Sequence, residues 1–384
     1  MERLYYKDAY IKSFKAVVTE ITEDGVATDK TAFFPEGGGQ SSDRGTLSGC
    51  CVYDVQEKNG VIYHKVKGEF PFKVGDTVEG IIDFEKRFSD MQNHTGEHIF
   101  SGIVHKELGY DNVGFHLNEK EVALDFSGEI SDEKISEIEY KANKAVWKNI
   151  EVKAFFPDSE ERKSIAYRSK KEIDGELRIV EIEDVDICAC CAPHVRRTGE
   201  IGIIKVVGHE RHRGGTRIFI LCGERALKDY SLKQSENKKI GAVLKVPEYE
   251  TSGAVEALLS KKCELEYDIG KLNAESAKRA ANTYEKSDII VAVDSFTGQT
   301  LTYFANYIKE KAAFLAAVFG KDGENKYSYM LISDGCDISS LVKDMNAALH
   351  GRGGGRNGSA RGSVSCSEEE IHKFFEKYNL NGGF

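Results

Sequence analysis

The chain has 384 residues, of which 40% are hydrophobic and 30% charged, and its net charge is −10. These proportions are ordinary for a globular protein of two or three domains. The acidic balance argues against a protein that binds nucleic acid non-specifically, so any such contact must come from local basic patches. The longest uncharged apolar run, residues 312–319, is too short to span a bilayer, and the N-terminus lacks the apolar segment of a signal peptide. We therefore predict a cytoplasmic protein.

Residues 1–86 are predicted to be mainly β structure. Short apolar runs alternate with turn residues, for example at 23–25, 58–60 and 74–76. This regular spacing of short strands is typical of a small β-barrel.

From Phe88 onward the apolar spacing becomes helical, and Ser89 or Asp90 could cap the start of the helix. A second helix is predicted over residues 131–149. The β-rich segments that follow complete an α+β domain over residues 87–222.

Residues 223–286 are rich in Lys, Glu, Ala and Leu, with Pro247 and Gly253 as the main interruption. We predict two helices with a bend, the second of which carries an apolar seam that could mediate a homodimer. The seam consists of Leu258, Leu259, Cys263, Leu265, Ile269 and Leu272.

Residues 287–384 show a compact α/β pattern in which a glycine-rich loop precedes the last helix. Ser367 and Glu370 are placed to form a capping box at the start of that helix. The predicted fold class is therefore α+β, with a small N-terminal β-barrel (1–86), an α+β domain (87–222), a helical linker (223–286) and a C-terminal α/β domain (287–384).

Residues 94–98 read His-Thr-Gly-Glu-His. Side chains four positions apart project from one face of a helix, so His94 and His98 are close enough to share a metal ion. Taken alone, the pair is equally typical of two histidines on a helix surface. Glu97 directly precedes the second histidine, whereas zinc proteases place the acid directly after the first, so a protease is excluded on register.

Cysteine usage points to metal ligation or burial rather than disulfides, because the nine cysteines are odd in number and unevenly spaced. Residues 190–194 read Cys-Cys-Ala-Pro-His and offer a thiolate and an imidazole, which zinc prefers in tetrahedral geometry. Spacing alone leaves Cys188, Cys190 and Cys191 open as the sulfur ligand. The other cysteines are assigned to packing or surface: Cys50, Cys51, Cys222, Cys263, Cys336 and Cys366.

Four motifs, taken in order, resemble the editing domain of alanyl-tRNA synthetase and the free-standing AlaX editing proteins in their long form. The resemblance covers nearly the whole chain. The motifs are His-Thr-Gly-Glu-His at 94–98, Cys-Cys-Ala-Pro-His with its following Thr-Gly-Glu-Ile-Gly at 190–202, a glycine-rich segment at 31–45, and Gly-Gly-Gly-Arg at 353–356. The last motif is similar to the DHH-associated domain that ends the synthetase, and implies such a domain here.

The resemblance implies one bound zinc ion, Zn²⁺. Its implied ligands are His94, His98, Cys190 and His194. The synthetases have Cys-Gly-Gly-Thr-His where this chain has Cys-Cys-Ala-Pro-His, so Cys191 stands as a rival ligand.

The implied function is trans-editing, in which the enzyme hydrolyses the ester that links serine, or glycine, to a mischarged tRNA(Ala). One alternative is a zinc-stabilised tRNA-binding protein without hydrolytic activity. A second is an alanine–tRNA ligase, which we do not expect because the chain begins directly with the β region and has no Gly-x-x-x-x-Gly-Lys-Ser/Thr phosphate loop. No Asp-His-His string occurs, which also disfavours phosphoesterase chemistry.

Further residues are predicted to hold the substrate or to assist its hydrolysis. Gln40 and the backbone amides of Gly37, Gly38 and Gly39 are candidates for holding the substrate. Thr31 matches a family position that faces the amino-acid pocket, which implies a hydrogen bond to the serine hydroxyl and rejection of alanine. Glu97 is a candidate general base, although its helical register is expected to turn it aside.

Zinc can activate water or polarise a carbonyl, but four protein ligands are typical of a closed, structural site. Either one ligand yields during the reaction, or zinc positions the substrate and another group activates water.

Two basic segments are candidates for contact with tRNA phosphates. The patch at 209–217 is better explained as a solvated loop. The C-terminal candidates are Arg352, Gly353, Gly354, Gly355, Arg356 and Arg361. A homodimer is expected to form through residues 223–286 or through the C-terminal domain.

Overall fold

The computed structural model describes residues 1–69, 71–118, 121–169, 176–334, 337–356 and 358–380. The chain divides into two compact units, Met1–Asn237 and Lys238–Phe384. Helices and β-sheets are mixed in each unit, as predicted. Among the described helices, none combines the length and the apolar character that crossing a membrane requires.

The N-terminal part of the first unit consists of short strands and one helical turn. These are β1 (Glu2–Arg3), α1 (Leu4–Lys7), β2 (Ser13–Thr22), β3 (Gly25–Thr28), β4 (Lys30–Thr31), β5 (Gly45–Leu47), β6 (Cys50–Lys58), β7 (Val61–Val66) and β8 (Thr77–Ile82). The pairing order β2-β3-β7-β6-β5-β8 closes on itself, because β8 pairs with both β5 and β2. Alternate residues of β2, including Phe14, Ala16 and Val18, face the apolar interior of this ring.

The remainder of the first unit is built around one long helix. Its elements are α2 (Phe84–Leu108), β9 (Asn112–Leu117), β10 (Val122–Phe126), α3 (Asp132–Trp147), β11 (Val152–Phe155), α4 (Glu161–Ser164), β12 (Ile179–Ile182), β13 (Asp186–Ala189), β14 (Ile204–His212) and β15 (Gly215–Cys222). The sheet β14-β15-β10-β9 packs with α2 and α3 around one apolar core, and β11-β12-β13 form a second, smaller sheet. At Gly96 of α2 a Cβ atom would lie 2.3 Å from Cys222 Sγ, so glycine permits the close approach of helix and sheet.

The start of α2 differs from the prediction. The side chain of Asp83 caps the helix by accepting a hydrogen bond from Lys86 N at 3.1 Å. Ser89 and Asp90 therefore lie inside the helix, where the Asp90 carboxylate pairs with Lys86 and Arg225. The helix ends at Gly109, whose φ of +67° is the left-handed conformation that glycine adopts freely.

Two helices follow the first unit's last strand, as expected for residues 223–286. They are α5 (Gly223–Leu244), within which the boundary between the units falls, and α6 (Thr251–Asn282). Pro247 precedes a short 3₁₀ turn, Glu248–Glu250, that separates them. In α6 only Ala277 and Ala281 are buried, and its apolar seam is exposed.

The rest of the second unit is an α/β domain. Its elements are β16 (Ser287–Asp294), α7 (Gly298–Lys309), β17 (Ala312–Lys321), β18 (Tyr327–Ser333), α8 (Ser339–Ala348), β19 (Arg352–Arg356), β20 (Ser359–Val364) and α9 (Glu368–Leu380). The sheet order is β16-β17-β18-β20-β19. The capping box is confirmed, because Ser367 N donates to Glu370 Oε2 at 2.7 Å and Glu370 N donates to Ser367 Oγ at 3.3 Å.

The prediction of a glycine-rich loop at 352–356 was wrong, because this segment is the edge strand β19. A Cβ on Gly353 would lie 2.3 Å from Arg361 O, and one on Gly355 would lie 1.8 Å from Ser359 O. The glycines therefore let β19 pair closely with β20, and that pairing outweighs their low intrinsic preference for strands.

Candidate metal centre

Four side chains from two parts of the first unit converge on one point. Helix α2 presents His94 and His98 on one face, and the segment after β13 contributes Cys190 and His194. One ligand atom from each of the four lies within 4.8 Å of the others. Cys190 Sγ is 3.5 Å from His94 Nε2 and 3.3 Å from His194 Nε2. The three histidines are buried, with exposed fractions of at most 5%.

Two of the three imidazoles are oriented by acceptors behind them. His94 Nδ1 lies 2.8 Å from Gln40 Oε1, and His98 Nδ1 lies 2.9 Å from Asp186 Oδ2. Since both oxygens accept, each neutral ring carries its proton on Nδ1 and presents the Nε2 lone pair to the cluster.

The third imidazole is oriented by a hydroxyl. Thr95 Oγ1 donates to Met91 O at 2.8 Å, so it accepts from His194 Nδ1 at 3.0 Å. All three histidines therefore offer Nε2 to a common centre with Nδ1 held from behind, as zinc-binding histidines do. With the Cys190 sulfur they form a donor set that suits zinc.

The electrostatics favour the ligand forms of Cys190 and His194. Burial raises the pKa of the Cys190 thiol, but His94 and His194 lower it more, and the net pKa lies well below the ordinary value. Burial lowers the pKa of His194 to about 3, so this ring is neutral at neutral pH. Burial also lowers the pKa of His98, but Cys188 and Asp186 outweigh it and hold that pKa well above its ordinary value. A metal ion binding at His98 therefore displaces a proton.

The two rival cysteines do not reach all three histidines. Cys188 is buried beside His98 and Asp186, and burial raises its pKa to about 11. Cys191 is exposed, and its Sγ lies 3.3 Å from the point where a Cβ on Gly38 would stand. Of the three neighbouring cysteines, the structure thus brings Cys190 to the histidines. Among the scattered cysteines, Cys222 and Cys366 are buried and Cys51 and Cys263 are exposed, while Cys336 lies outside the described residues.

The glycine-rich segment forms a tight turn beside the cluster. Gly37 N donates to Gln40 O at 3.1 Å and Gln40 N donates to Gly37 O at 3.0 Å, so the Gly37 amide is used within the turn. Of the three candidate amides, those of Gly38 and Gly39 are the ones to consider for a substrate. Leu117 N donates to Gly39 O at 2.9 Å and joins the turn to β9.

Gln40 has the strongest sign of an absent partner. Its side chain is 1% exposed, and Oε1 is occupied by His94 Nδ1. Nε2 is buried and makes no hydrogen bond within the described part of the chain. An unpaired buried donor costs about 1–3 kcal/mol, so this N–H group is a candidate donor to a ligand.

The position of Glu97 corrects the expectation that it turns aside. One oxygen, Oε1, accepts from Ser101 Oγ at 2.8 Å and from Asn112 Nδ2 at 2.6 Å. The other, Oε2, lies 3.8 Å from His98 Nε2, on the side of the ring that faces the cluster. A carboxylate oxygen therefore borders the metal centre.

Thr31 lies in the core of the β ring. It is fully buried, and its hydroxyl is 2.8 Å from His64 Nε2, while His64 Nδ1 donates to Val26 O at 2.8 Å. The Thr31 hydroxyl therefore donates to His64 and accepts from Phe33 N at 3.1 Å. To bond a substrate hydroxyl, Thr31 would have to exchange one of these two hydrogen bonds.

The same His64 predicts a pH effect on stability. Burial lowers its pKa to about 4, against about 6.5 in the unfolded chain. Between about pH 6.5 and pH 4, His64 is therefore protonated in the unfolded state but neutral in the folded state. The free energy of unfolding consequently falls as the pH is lowered through this range. We expect His64→Gln to reduce the loss of unfolding free energy between pH 7.5 and pH 5 by about 2 kcal/mol, measured by urea denaturation with a chelator present. The exposed His105→Gln is the control, and equal losses in the His64 variant and the wild type would contradict the assignment.

A cavity of about 690 Å³ opens beside the glycine turn. Its lining includes Gly37, Gly39, Gln40, Ser41 and His116. Gln40 therefore lies at the wall of an open cavity.

The C-terminal arginines share one face of the β19–β20 hairpin. Arg352 and Arg356 are four positions apart on β19, and Arg361 of β20 lies directly opposite Gly354. Because alternate residues and cross-strand partners lie on one face of a sheet, the three guanidinium groups belong to the same side. All three residues are exposed.

Comparison with known proteins settles the family. The model of the "threonyl and alanyl tRNA synthetase second additional domain" matches residues 177–219, that of "tRNA synthetases class II (A)" matches 6–86, and the DHHA1 domain matches 286–380. The alanyl-tRNA editing protein AlaX-L of Pyrococcus horikoshii is 31% identical over 97% of this chain and 96% of its own length. The chain belongs to the family of alanyl-tRNA editing proteins. The resemblance and the predicted DHH-associated domain are thereby confirmed.

Alanine–tRNA ligases also match this chain, but over only part of their own length. The alanine–tRNA ligase of Pyrococcus abyssi is 32% identical over 96% of this chain but 43% of that protein, so the chain spans less than half of this relative. The C-Ala domain of Aquifex aeolicus alanyl-tRNA synthetase aligns with a TM-score of 0.20 and 16% identity, over 23% of this chain and 86% of that domain. That likeness is too low to carry an argument.

Proposed function

We propose that this member of the editing family is a zinc-dependent trans-editing hydrolase that deacylates tRNA(Ala) mischarged with serine or glycine. Family membership makes it an aminoacyl-tRNA deacylase, an ester hydrolase. The observation that carries the zinc proposal is the convergence of three Nε2 atoms and one sulfur within 4.8 Å, each imidazole held through Nδ1. The proposed ligands are His94, His98, Cys190 and His194.

The groups beside the ligands suit ester hydrolysis. When bound, zinc supplies positive charge that can polarise the ester carbonyl or a water molecule. Gln40 Nε2 donates to the carbonyl oxygen as it gains negative charge, assisted by the amides of Gly38 and Gly39. Glu97 Oε2 accepts the proton of the attacking water and, as the bond between the carbonyl carbon and the ribose oxygen breaks, returns it to the ribose oxygen that leaves.

Selectivity for serine over alanine requires a group that bonds the substrate hydroxyl, because a site built for a hydroxyl rejects an analogue that lacks it. We retain Thr31 as that group, with the substrate hydroxyl replacing His64 as its partner. We also retain the division of the chain into the four predicted domains.

The direct test is deacylation of Ser-, Gly- and Ala-tRNA(Ala) in parallel, with zinc-loaded and chelator-treated protein. We expect fast hydrolysis of the seryl ester, slower hydrolysis of the glycyl ester, which lacks the hydroxyl but is smaller, little hydrolysis of the alanyl ester, and loss of activity on zinc removal. Hydrolysis of none of the three, with tRNA binding intact, would favour the zinc-stabilised tRNA-binding protein. ATP–pyrophosphate exchange with alanine tests the ligase alternative, and we expect no signal.

The arginine face of the β19–β20 hairpin is proposed to contact tRNA phosphates. Replacing Arg352, Arg356 and Arg361 together by Gln is expected to weaken tRNA binding and to lower the slope of log K against log salt by about 2 to 3, because each lost phosphate contact lowers it by about 1. The control removes three exposed positive charges from the β14–β15 hairpin: Lys205, Arg211 and Arg213. An equal effect of both triple variants would show that net charge, rather than this face, governs binding.

The exposed seam of α6 is proposed to pair with a second copy of the chain. Leu258, Leu265, Ile269 and Leu272 are each at least 50% exposed and follow heptad spacing. The double variant Leu265→Glu/Ile269→Glu is expected to convert a dimer to a monomer in light scattering. Val113→Glu/Tyr140→Glu, at exposed positions in the first unit, is the control and should leave the mass unchanged. A wild-type monomer would contradict the proposal.

A further inference from the structure

An ion pair lies directly behind His98. Asp186 Oδ2 accepts from His98 Nδ1 at 2.9 Å, while Arg168 Nε donates to Asp186 Oδ1 at 2.7 Å and Arg168 Nη2 donates to Oδ2 at 3.0 Å. Asp186 is 6% exposed. Both oxygens of Asp186 therefore accept hydrogen bonds. His98 bonds Asp186 through Nδ1, which leaves Nε2 directed at the cluster. The group His98–Asp186–Cys188 shares His98 with the four-residue cluster, and its carboxylate is already bonded to His98 and Arg168.

The backbone holds this pair in place. Arg168 N donates to Ile187 O at 2.8 Å and Ala189 N donates to Arg168 O at 2.9 Å, so the arginine is fixed alongside β13. On the other side, a Cβ on Gly102 of α2 would lie 2.7 Å from Asp186 Cβ. Glycine one helical turn after His98 therefore lets α2 approach β13 closely enough for the carboxylate to reach the ring.

The three imidazoles have supports of different strength. His94 is held by the amide oxygen of Gln40 and His194 by a hydroxyl, whereas His98 is held by a carboxylate. A hydrogen bond to a charged acceptor is roughly twice as strong as one between neutral groups. Among the three, His98 is therefore the ligand whose tautomer and ring angle are most firmly set.

We propose that Asp186, clamped by Arg168, is the positioning residue that fixes the Nδ1-protonated form of His98 and aims its Nε2 at the zinc ion. This inference rests on the proposed zinc site. Loss of such a support typically costs about 10- to 100-fold in metal affinity. The Asp186→Asn variant keeps the shape but loses the charge, and Arg168→Met keeps the carboxylate but removes its clamp.

The chain offers a matched control. Asp125 also forms a bidentate ion pair, with Arg217 at 2.6 and 2.8 Å, in the sheet of the same unit, and it makes no hydrogen bond to a ligand histidine in the part of the chain that the structure describes. Asp125→Asn removes a comparable charge from a comparable pair. Its zinc affinity should equal that of the wild type.

The experiment measures zinc affinity of the metal-free full-length chain by competition with a chromophoric chelator, together with ¹⁵N spectra of the histidine rings. We expect Asp186→Asn to raise the Kd for zinc about 10- to 100-fold and Arg168→Met to raise it by a smaller factor. In spectra of the zinc-free protein recorded at a pH above the raised pKa of His98, where its ring is neutral, we also expect the ¹⁵N signature of Nδ1 protonation in the wild type and a mixture of tautomers in Asp186→Asn.

Three outcomes decide the matter. Wild-type affinity in both variants, with an unchanged His98 tautomer, would overturn the positioning role while leaving the zinc site intact. Absence of zinc binding by the wild type would overturn the proposed site itself. If Asp186→Asn fails to fold, as judged by circular dichroism, Arg168→Met decides alone, and a Kd within twofold of the wild type would contradict the inference.

Discussion

Replacing Cys190 by serine is expected to raise the Kd for zinc by about 100-fold or more and to abolish deacylation of Ser-tRNA(Ala). Binding of zinc to four-ligand sites is worth about 10–16 kcal/mol, so one ligand contributes about 3 kcal/mol on average, which is about 100-fold in Kd. Cys190 is the sulfur member of the cluster, and His94 and His194 hold its pKa well below the ordinary value. Chelator competition measures the affinity, and the release of serine measures the activity.

Cys191→Ser is the matched control for this prediction. The two cysteines are adjacent in the chain, but Cys191 is exposed and lies against the glycine turn. Its replacement should leave zinc affinity unchanged. An equal loss in Cys191→Ser, or no loss in Cys190→Ser, would show that the sulfur ligand has been misassigned.

Replacing Gln40 by leucine is expected to lower kcat for deacylation by about 100- to 1,000-fold, the effect of removing one donor from an oxyanion site. The buried Nε2, which lacks a partner in the described structure, is the donor in question. Leucine also removes the acceptor for His94 Nδ1, so zinc affinity should fall by about 10-fold as well.

Gln40→Glu separates the two roles of this side chain. Glutamate keeps an acceptor for His94 Nδ1 but offers no N–H to the substrate. We expect this variant to bind zinc nearly as the wild type does while its kcat falls as far as that of Gln40→Leu. A kcat close to the wild-type value would contradict the proposed donation to the substrate carbonyl.

Local patterns in the sequence are sufficient to predict part of this site. The four-residue spacing of His94 and His98 predicts two imidazoles on one helical face, and α2 places them so. The capping box of the last helix is likewise predicted from the sequence, by Ser367 and Glu370. Both features depend on residues that are separated by one helical turn.

The supports of the site depend on contacts between distant segments. Gln40 is 54 residues from His94, and Asp186 is 88 residues from His98. These contacts form only when the β ring closes and α2 approaches β13. Neither event can be predicted from a local sequence pattern. The choice among Cys188, Cys190 and Cys191 is similar, because β13 turns Cys188 inward beside Asp186 and ends before Cys190.

Two wrong predictions have different origins. Ser89 and Asp90 are good caps in isolation, but Asp83 is an equally favourable cap earlier in the chain, and the helix begins after it. Residues 353–355 are poor strand formers, but pairing with β20 makes them an edge strand. In the second case, tertiary contacts outweigh intrinsic preference.

X-ray absorption at the zinc edge of the reconstituted protein tests the central claim most directly. The structure predicts one sulfur ligand at about 2.3 Å and three nitrogen ligands at about 2.0–2.1 Å, from Cys190 and the three histidines. A zinc ion with two sulfur ligands would mean that Cys188 or Cys191 enters the site. A zinc ion with no sulfur ligand, or a chain that retains no zinc, would contradict the metal centre on which the proposed hydrolysis depends.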